Sequence, residues 1–350
     1  MSTARGATPE SDRPNFYARI SDYSMTPLWE VMKDLVLPEP DSPCIPALWK
    51  YSDIRPLILE AGKVITTEEA ERRVLILENP GMPGKSRITR SIYAGMQLIQ
   101  PGEIANNHRH TQTALRFVLE GSGSYTAVGG ERTMMHPGDF IITPQWAWHE
   151  HGNDGEVPTV WLDGLDIPIV QFFDSSFSQH KQNSKQYDTI KPTGDSIARY
   201  GSGLLPVDQP ASGLSSPVFN YPFERTREAL ETMRRDEQWD PCHGLKMKYV
   251  NPLTGDYAMP TMAAFIQLLP AGFNGVRYQS TDSMVYVCVE GSGKTTLDDQ
   301  ELLWSEKDTF VIPSWMRHSH QANDDAILFS FSDRSIQQKC GLWKEFRENE

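Results

Sequence analysis

Short apolar runs, many of them alternating with polar residues and each ended by glycine, proline or asparagine, fill the chain from about residue 72 onward. Such runs predict β-strands, because successive side chains of a strand point to opposite faces and turn residues end the run. Several short strands at close spacing indicate a β-barrel or jelly roll. In the first half of the chain we expect strands at Arg73–Glu78, Ser91–Gln100, Leu115–Glu120, Ser124–Val128, Gly138–Thr143 and Pro158–Leu162.

Helical patterns lie outside these strand-rich regions. In Thr26–Val36, a Thr-Pro pair precedes apolar residues at helical spacing, which predicts a short amphipathic helix capped by the threonine. We expect a second helix over Tyr51–Gly62 and a surface helix over Phe223–Trp239. Residues 1–15 are interpreted as a loose polar tail, and residues 175–215, rich in Ser, Gln, Lys and Gly, as the crossing between two domains.

The second strand-rich region repeats the first at a shift of 170 or 169 residues. The chain is therefore expected to contain two copies of one β-barrel unit. The aligned positions include Gly102 and Gly272, Glu120 and Glu290, Asp139 and Asp308, Pro144 and Pro313, Trp146 and Trp315, His149 and His318, and His151 and His320.

The two copies differ in their histidines. Tyr278 and Ser280 stand in the second copy at the positions of two histidines of the first. We expect the remaining pair, His318 and His320, to point to opposite faces of a strand, so that they bind no ion together. The first copy alone is expected to bind a metal.

Three histidines form the candidate metal site. His108 and His110 are two positions apart on a strand, so both should point inward with Arg109 outward. His149 follows a proline-containing turn and would join them from a neighbouring strand. This spacing favours a metal site over three ordinary core residues. Imidazole ligands suit Zn, Cu, Ni and Fe alike, so the residues by themselves do not select the metal.

Cationic and titratable side chains should lie close to this site. Arg116 shares the inward parity, and a buried cation needs an anion, which is either a bound carboxylate or an internal Asp or Glu. His151 has the parity of His149 and could act in hydrogen bonding or proton transfer, or be structural. Of the adjacent Arg72 and Arg73, only one can face inward.

Other candidates have structural alternatives. Tyr93 and Gln97 share one strand face and are either pocket-lining residues or a core aromatic and a buried amide. Asp163 either lies near the substrate or caps a turn at Gly164. Trp146 and Trp148, which flank the turn before the third histidine, are interpreted as packing residues.

Composition excludes several classes of partner. The net charge of −13, with no basic block to offset it, argues against nucleic acid and anionic membranes. It also means that an anionic small substrate needs specific cationic residues at its site. The four cysteines form no C-x-x-C pair, and neither an apolar signal region nor a run of about 18 apolar residues occurs. We expect a soluble, cytoplasmic protein.

Both histidine-containing blocks resemble the two cupin motifs. From about residue 25 to 340, the chain resembles the bicupin ring-cleaving dioxygenases typified by gentisate 1,2-dioxygenase. The most specific pieces are His108–Phe117, Trp161–Pro168 and Tyr249–Pro252. The general cupin pattern has a glutamate as fourth ligand at the position of Ala114, whereas the narrower family uses three histidines and no carboxylate.

The resemblance implies a function and roles for the candidate residues. It implies Fe(II) as the cofactor, O2 and a small aromatic carboxylate as substrates, and conversion of gentisate to maleylpyruvate in aromatic catabolism by an enzyme that assembles as a homotetramer. Iron would be held by His108, His110 and His149; the implied substrate-binding residues are Arg72, Arg116, His151, Tyr93, Gln97 and Asp163, with Arg116 and His151 also catalytic. Arg73 would then be solvated.

The expected fold is dominated by β-structure: a bicupin with two jelly-roll β-barrels, a helical N-terminal segment and a helix-containing linker. Its divisions are the N-terminal segment 1–65, the metal-binding barrel 66–174 (barrel 1), the linker 175–240 and the metal-free barrel 241–350 (barrel 2). Alternative substrates are salicylate and 1-hydroxy-2-naphthoate. More remote alternatives are a non-catalytic bicupin binding protein and a bicupin isomerase or decarboxylase that uses Mn or Zn.

Overall fold

The computed structural model describes residues 12–180, 190–208 and 213–348, in two units of which the first ends at Asp41. The first unit contains helices α1 (Arg13–Ser21) and α2 (Leu28–Leu35). Helix α1 corrects the prediction of a polar tail for residues 13–15; residues 1–11 of that tail lie outside the described residues. The N-cap of α2 is Pro27 and no side chain caps it, so the predicted threonine cap is wrong.

The second unit begins with strand β1 (Ala47–Trp49) and helices α3 (Tyr51–Val64) and α4 (Thr67–Ala70). Helix α3 runs two residues past the expected end. Barrel 1 follows, with strands β2 (Val74–Ile76), β3 (Tyr93–Ile99), β4 (Ile104–His110), β5 (Ala114–Glu120), β6 (Ser124–Val128), β7 (Glu131–Met134), β8 (Phe140–Thr143), β9 (His149–Asn153) and β10 (Thr159–Leu165).

Several elements then cross to the second barrel. They are α5 (Ile167–Phe172), β11 (Ser178–His180), α6 (Asp195–Tyr200), β12 (Asn220–Tyr221) and α7 (Phe223–Met233). Residues 181–189 and 209–212 of the predicted crossing lie outside the described residues. Helix α7 ends six residues before the predicted end, and a 3₁₀ turn follows it.

Barrel 2 consists of strands β13 to β22, with helix α8 before the last strand. Their bounds are β13 (Leu245–Lys248), β14 (Ala263–Leu269), β15 (Tyr278–Ser280), β16 (Met284–Glu290), β17 (Ser292–Leu297), β18 (Gln300–Ser305), β19 (Thr309–Ile312), β20 (His318–Gln321), β21 (Ala326–Ser332), α8 (Arg334–Lys339) and β22 (Glu345–Arg347). Within the described residues, no helix has the length and apolar character needed to cross a membrane.

Each barrel is built from two antiparallel sheets, as a jelly roll requires. In barrel 1 the sheet orders are β12-β8-β5-β10-β3-β2 and β11-β4-β9-β6-β7; in barrel 2 they are β1-β19-β16-β21-β14-β13 and β18-β17-β20-β15-β22. The two six-stranded sheets contribute to one shared apolar core, in which the rings of Phe117 and Phe329 stack at 4.1 Å. The repeated barrels predicted from the sequence are present.

The short strand and the helix that precede each barrel contact the other barrel. Strand β1 pairs with β19, and the Tyr51 N–H at the start of α3 donates to Asp308 at 2.7 Å. In the same way β12 pairs with β8, and the Phe223 N–H at the start of α7 donates to Asp139 at 2.9 Å. The repeat therefore extends to the strand and helix that precede each barrel.

Candidate metal centre

The three candidate histidines meet at one end of barrel 1. His108 and His110 project from the same face of β4, and His108 lies directly opposite His149 on the antiparallel strand β9. The potential ligand atoms of all three residues lie within 4.8 Å of one another. We refer to these residues as the histidine triad. Within the described parts of the chain, no other group of three His, Cys, Asp or Glu residues is arranged in this way.

Backbone carbonyls hold the triad rings by their Nδ1 atoms. His110 Nδ1 lies 2.9 Å from the Gln112 carbonyl, and His149 Nδ1 lies 2.9 Å from the Ala147 carbonyl. Because a carbonyl only accepts, the proton of each neutral ring lies on Nδ1 and the Nε2 lone pair is free. Such hydrogen bonds commonly orient metal-binding imidazoles. His108 Nδ1 lies 3.3 Å from the Asn106 carbonyl and is also contacted by Arg72.

Burial keeps all three rings neutral. It lowers the pKa of His108 to about 2, with a further contribution from the charge of Arg72. It lowers the pKa of His110 to about 4 and the pKa of His149 well below its ordinary value. Neutral imidazole is the form that binds a metal.

The hydrogen bonding of the triad itself fits a divalent metal. His149 Nε2 is buried and has no hydrogen-bond partner among the described residues. A buried polar atom without a partner is costly unless something binds there. A metal held by Nε2 atoms would satisfy it and leave the carbonyl hydrogen bonds intact. Three imidazoles and no carboxylate accept several first-row metals.

The turn between β8 and β9 brings His149 to this place. Trp146 in that turn has φ of +62°, a conformation that is unfavourable for a residue with a Cβ atom, and its N–H donates to the His110 carbonyl at 2.8 Å. The indoles of Trp146 and Trp148 lie outside the site, at 4.3 and 4.8 Å from the Arg109 guanidinium. Arg109 therefore points away from the triad, as predicted.

The adjacent Arg72 and Arg73 have different surroundings. The Arg72 guanidinium donates to the Asn106 carbonyl at 2.8 Å and lies against the His108 ring. Arg73 is buried and paired with Glu103 at 2.6 Å. The expectation that Arg73 would be solvated is wrong, because a partner for its charge was available on the β3–β4 turn. Burial and the charge of Arg116 lower the pKa of Arg72 to about 10.

Arg116 and His151 form a hydrogen-bonded pair inside barrel 1. The Arg116 Nη2 donates to His151 Nε2 at 2.9 Å, and its Nη1 donates to the Thr143 hydroxyl at 2.7 Å. Because an arginine only donates, His151 Nε2 accepts and the proton of the neutral ring lies on Nδ1. That Nδ1 lies 2.8 Å from the Thr126 hydroxyl, which in turn donates to the Glu150 carbonyl.

Asp163 is the carboxylate that faces these arginines. It lies 3.7 Å from Arg116 Nε and accepts the Trp161 indole N–H at 2.9 Å. Burial raises its pKa to about 6, although the charge of Arg116 acts in the opposite direction. The alternative that Asp163 caps a turn at Gly164 is wrong, because both residues lie within β10. Arg116 Nε has no hydrogen-bond partner in the described part of the chain.

Tyr93 and Gln97 lie on the interior face of β3. Gln97 is buried and lies opposite Trp161 of β10, on the face that carries Asp163. Tyr93 is half-buried, and burial, with a smaller contribution from Asp163, raises the pKa of its phenol. Gly95 lies between them; a Cβ atom there would lie 3.2 Å from the Tyr93 hydroxyl. A side chain at position 95 would therefore crowd the Tyr93 phenol.

The corresponding histidines of barrel 2 correct one prediction. His318 and His320 lie two positions apart on β20, so they share a face, and their rings are 5.4 Å apart inside barrel 2. The expectation that they point to opposite faces is wrong.

Comparison with known proteins identifies the family. Residues 95–165 match the cupin domain model. The chain is 54% identical over 347 residues to gentisate 1,2-dioxygenase 1 of Aquipseudomonas alcaligenes, covering 99% of this chain and 100% of that one. This chain belongs to the gentisate 1,2-dioxygenase family. It is also 33% identical to a 5-aminosalicylate 1,2-dioxygenase of Comamonas sp., over 96% of this chain and 90% of that protein.

A solved structure agrees with the assignment to the gentisate 1,2-dioxygenase family. The chain superposes with a TM-score of 0.91 on a salicylate 1,2-dioxygenase from Pseudoaminobacter salicylatoxidans crystallised as an adduct with gentisate. The two sequences are 32% identical, and the match covers 100% of this chain and 98% of the other.

Sequence reasoning missed two polar neighbours in this member of the gentisate 1,2-dioxygenase family. Thr126 and Thr143 contact His151 and Arg116, but a threonine in a strand is ordinarily read as a packing residue. The repeat contained a signal for Thr126: its counterpart Thr295 stands at the same 169-residue shift as the histidines and contacts His320 at 2.9 Å.

Proposed function

We propose that the protein is an Fe(II)-dependent gentisate 1,2-dioxygenase that converts gentisate and O2 to maleylpyruvate. The observation that supports this most directly is the neutral histidine triad beside two guanidinium groups, Arg72 and Arg116, that both face the buried carboxylate of Asp163. Glu71 and Glu150 contribute less at Arg72, so a further negative charge close to both guanidiniums would balance them. The carboxylate of an aromatic acid would supply it.

Iron would be held by the Nε2 atoms of His108, His110 and His149. When bound, ferrous iron supplies the redox chemistry that lets an aromatic ring react with dioxygen. An imidazole that binds a metal through Nε2 carries its proton on Nδ1, so Arg72, which donates to His108 Nδ1, would have to release that atom. The released guanidinium is then available to the substrate.

Arg72 and Arg116 would hold the substrate carboxylate. Arg116 Nε has no partner in the described residues, and a guanidinium pairs with a carboxylate through two parallel hydrogen bonds. When Arg116 turns to the substrate, His151 Nε2 loses its donor. The Nε2 lone pair could then accept the proton of the hydroxyl next to the carboxylate, which would ionise the ring for oxidation.

Asp163, Tyr93 and Gln97 would contact the rest of the ring. Asp163 could accept a hydrogen bond from the distal hydroxyl, which gentisate has and salicylate lacks. A phenol at Tyr93 is smaller and more polar than an indole and favours gentisate over salicylate or 1-hydroxy-2-naphthoate. The distal hydroxyl also makes the gentisate ring electron-rich.

Oxygen uptake tests the substrate assignment. The purified protein is loaded with Fe(II) anaerobically and assayed with gentisate, salicylate and 1-hydroxy-2-naphthoate at equal concentrations. We expect fastest uptake with gentisate, accompanied by formation of maleylpyruvate. Faster turnover of salicylate would identify salicylate, and not gentisate, as the preferred substrate. The absence of oxygen uptake with all three acids would favour a non-catalytic binding protein.

Metal removal tests the cofactor. Chelation should abolish oxygen uptake, and added Fe(II), but not Zn(II) or Mn(II), should restore it. His149→Gln should lose bound iron, whereas His180→Gln, which alters an exposed ring stacked on His108, should retain it. Equal iron content in both variants would contradict the assignment of His149 as a ligand.

We further propose that the working site lies within residues 66–174, that residues 175–240 link it to a metal-free barrel 2 over residues 241–350, and that the enzyme is a cytoplasmic homotetramer. Sedimentation of the iron-loaded protein tests the assembly; a monomer at working concentration would contradict it.

A further inference from the structure

The interior of barrel 2 has polar groups that no described residue satisfies. Gln267, with both amide atoms unpartnered, and Ser330, with its hydroxyl unpartnered, are fully buried, and His320 Nε2 also lacks a partner. Native interiors rarely leave so many polar atoms unpaired, and such groups usually indicate a bound molecule or ion. The three residues lie on strands that face one interior.

Lys246 adds an unpaired cation to the same interior. It is half-buried on β13 directly opposite Gln267, and its Nζ lies 4.9 Å from the centroid of Phe265 and 5.8 Å from that of Tyr286. Among the described residues, no carboxylate lies within 4.0 Å of it. The neighbouring guanidiniums already have partners: Arg334 has Asp282 at 3.1 Å, and Arg347 has Asp240 at 2.7 Å with Glu345 at 3.8 Å.

His320 presents a proton towards this space. The Thr295 hydroxyl accepts the Trp304 indole N–H at 3.0 Å, and among the described residues the acceptor available for its own proton is His320 Nδ1 at 2.9 Å, so the hydroxyl donates to that nitrogen. The proton of the neutral ring then lies on Nε2. Tyr286 lies between His320 and Lys246: its ring is 5.0 Å from the His320 ring and also faces the Lys246 ammonium. The unsatisfied groups therefore include three that can donate, Gln267 Nε2, Ser330 Oγ and His320 Nε2, close to one unpaired positive charge.

We propose that barrel 2 binds a small carboxylate monoanion, anchored by the Lys246 ammonium and by the donors of Gln267 and His320. One negative charge would neutralise the one unpaired cation, whereas a dianion would leave a charge in a poorly solvated place. The oxygens of a carboxylate only accept, which matches the donors available.

Two further observations support the site. Burial, with a smaller contribution from Arg334, lowers the pKa of Lys246 to about 7, although the charges of Asp282 and Asp240 act in the opposite direction. In addition, this interior is the counterpart of the predicted substrate pocket of barrel 1. Tyr286 and His320 stand at the positions of Arg116 and His151, and the cation of barrel 2 lies on β13, the edge strand that corresponds to β2 of barrel 1.

Acetate serves as the probe. Thermal unfolding of the iron-loaded protein is measured in sodium acetate and in sodium sulfate of equal ionic strength, for the wild type, Lys246→Met and Lys248→Met. Lys248 is an exposed lysine of the same strand and provides the matched control. We expect acetate to raise the midpoint in a saturable way in the wild type and in Lys248→Met, and to have no specific effect in Lys246→Met.

Removal of the unpaired cation should also raise the midpoint of Lys246→Met in the absence of acetate, which separates this variant from one that merely folds poorly. An equal acetate response in all three proteins, or no saturable response in the wild type, would overturn the proposal. Oxygen uptake with gentisate should be the same in Lys246→Met as in the wild type, so failure of the gentisate assignment would be recognised separately.

Discussion

At the scale of single residues, the candidate site of barrel 1 depends on a charge imbalance. Arg72 and Arg116 both face the buried carboxylate of Asp163, and burial raises the pKa of Asp163 to about 6. Glu71 and Glu150 contribute less at Arg72. Buried cations persist in proteins only when they are paired or when they await an anion. An aromatic carboxylate that enters this site would gain the interaction that the chain itself leaves unfilled.

Arg116→Lys tests this directly. A lysine retains the charge but cannot form two parallel hydrogen bonds, and a hydrogen bond to a charged group contributes about 1.5–3 kcal/mol. We expect kcat/KM for gentisate to fall by about 10- to 100-fold, mostly through KM. The outward-facing Arg109→Lys is the matched control and should change kcat/KM by less than about twofold. Equal effects of the two substitutions would contradict the assignment.

Thr126 should act as a positioning residue for His151. Its hydroxyl fixes the proton on His151 Nδ1 and thereby leaves Nε2 as the acceptor. We expect Thr126→Val, which removes the hydroxyl but keeps the shape, to lower kcat by about 10-fold with a smaller change in KM.

Thr126→Ser, which keeps the hydroxyl, should recover most of the rate, as measured by steady-state oxygen uptake. Equal loss in Val and Ser variants would indicate that packing, and not the hydrogen bond, is what Thr126 contributes.

The alternation of side chains along a strand predicted which residues face the site, but it could not predict which charged residues pair with one another. The rule that residues two apart share a face placed His108 and His110 together and Arg109 outside. The same rule places His318 and His320 on one face, contrary to the expectation of opposite faces. Alternation could not reveal that Glu103 would neutralise Arg73, because the partner comes from a turn about 30 residues later. Such pairings depend on tertiary structure.

At the scale of elements, the repeated aspartates Asp139 and Asp308 bind the N-termini of two helices that have no side-chain cap of their own. Asp308 accepts from the first N–H of α3, and Asp139 accepts from the first N–H of α7, whose N-cap is Pro222. The helices also bridge the barrels, since Arg55 of α3 pairs with Glu120 and Arg227 of α7 pairs with Glu290. The sequence repeat marked these residues without indicating their partners, because each helix lies at least 84 residues from its aspartate.

Replacing Asp139 should therefore destabilise the protein through α7. Asp139→Ala leaves the partly buried Phe223 N–H without an acceptor, and we expect a loss of about 1–3 kcal/mol in the free energy of unfolding. Asp139→Asn retains an acceptor oxygen and should lose clearly less. Urea unfolding of the iron-loaded protein measures both, and equal losses would exclude the helix cap as the reason for the aspartate.

At the scale of the whole molecule, the two copies are more closely joined than their sequences suggested. The shared motifs predicted two barrels, but β1 is only three residues long and β12 only two, too short to stand out as strands. Their pairing with the other copy's sheet, together with the core around Phe117 and Phe329, joins the two barrels through one apolar core. We infer that barrel 2 stabilises barrel 1 independently of any ligand it binds.

The many buried histidines make the metal-free protein sensitive to acid. Burial lowers the folded-state pKa of seven of them, in both barrels, below the value of about 6.5 expected for the unfolded chain: His108, His110, His149, His151, His243, His318 and His320. Below that pH the unfolded chain binds protons that the folded protein does not. Stability present at neutral pH is therefore lost as the pH falls.

Four buried carboxyls act in the opposite direction. Burial raises the pKa of Asp163, Asp166 and Asp333 to about 6, so they stabilise the folded state as the pH falls from about 6 towards 4. Burial also raises the pKa of Asp139, which acts in the same direction. Seven histidines outweigh four carboxyls. At about 1.4 kcal/mol per pH unit for each proton, we expect the free energy of unfolding to fall by on the order of 5 kcal/mol per unit near pH 5.

Urea unfolding of the chelator-treated protein at pH 7, 6 and 5 measures this slope. The double variant His318→Gln/His320→Gln removes two of the seven histidines without altering the triad, and the slope should decrease by roughly 3 kcal/mol per pH unit. Stability that is independent of pH between 7 and 5 would contradict the prediction. An unchanged slope in the double variant would assign the acid sensitivity to the other five histidines, of which the three of the triad would be relieved by metal binding, because it requires neutral imidazoles.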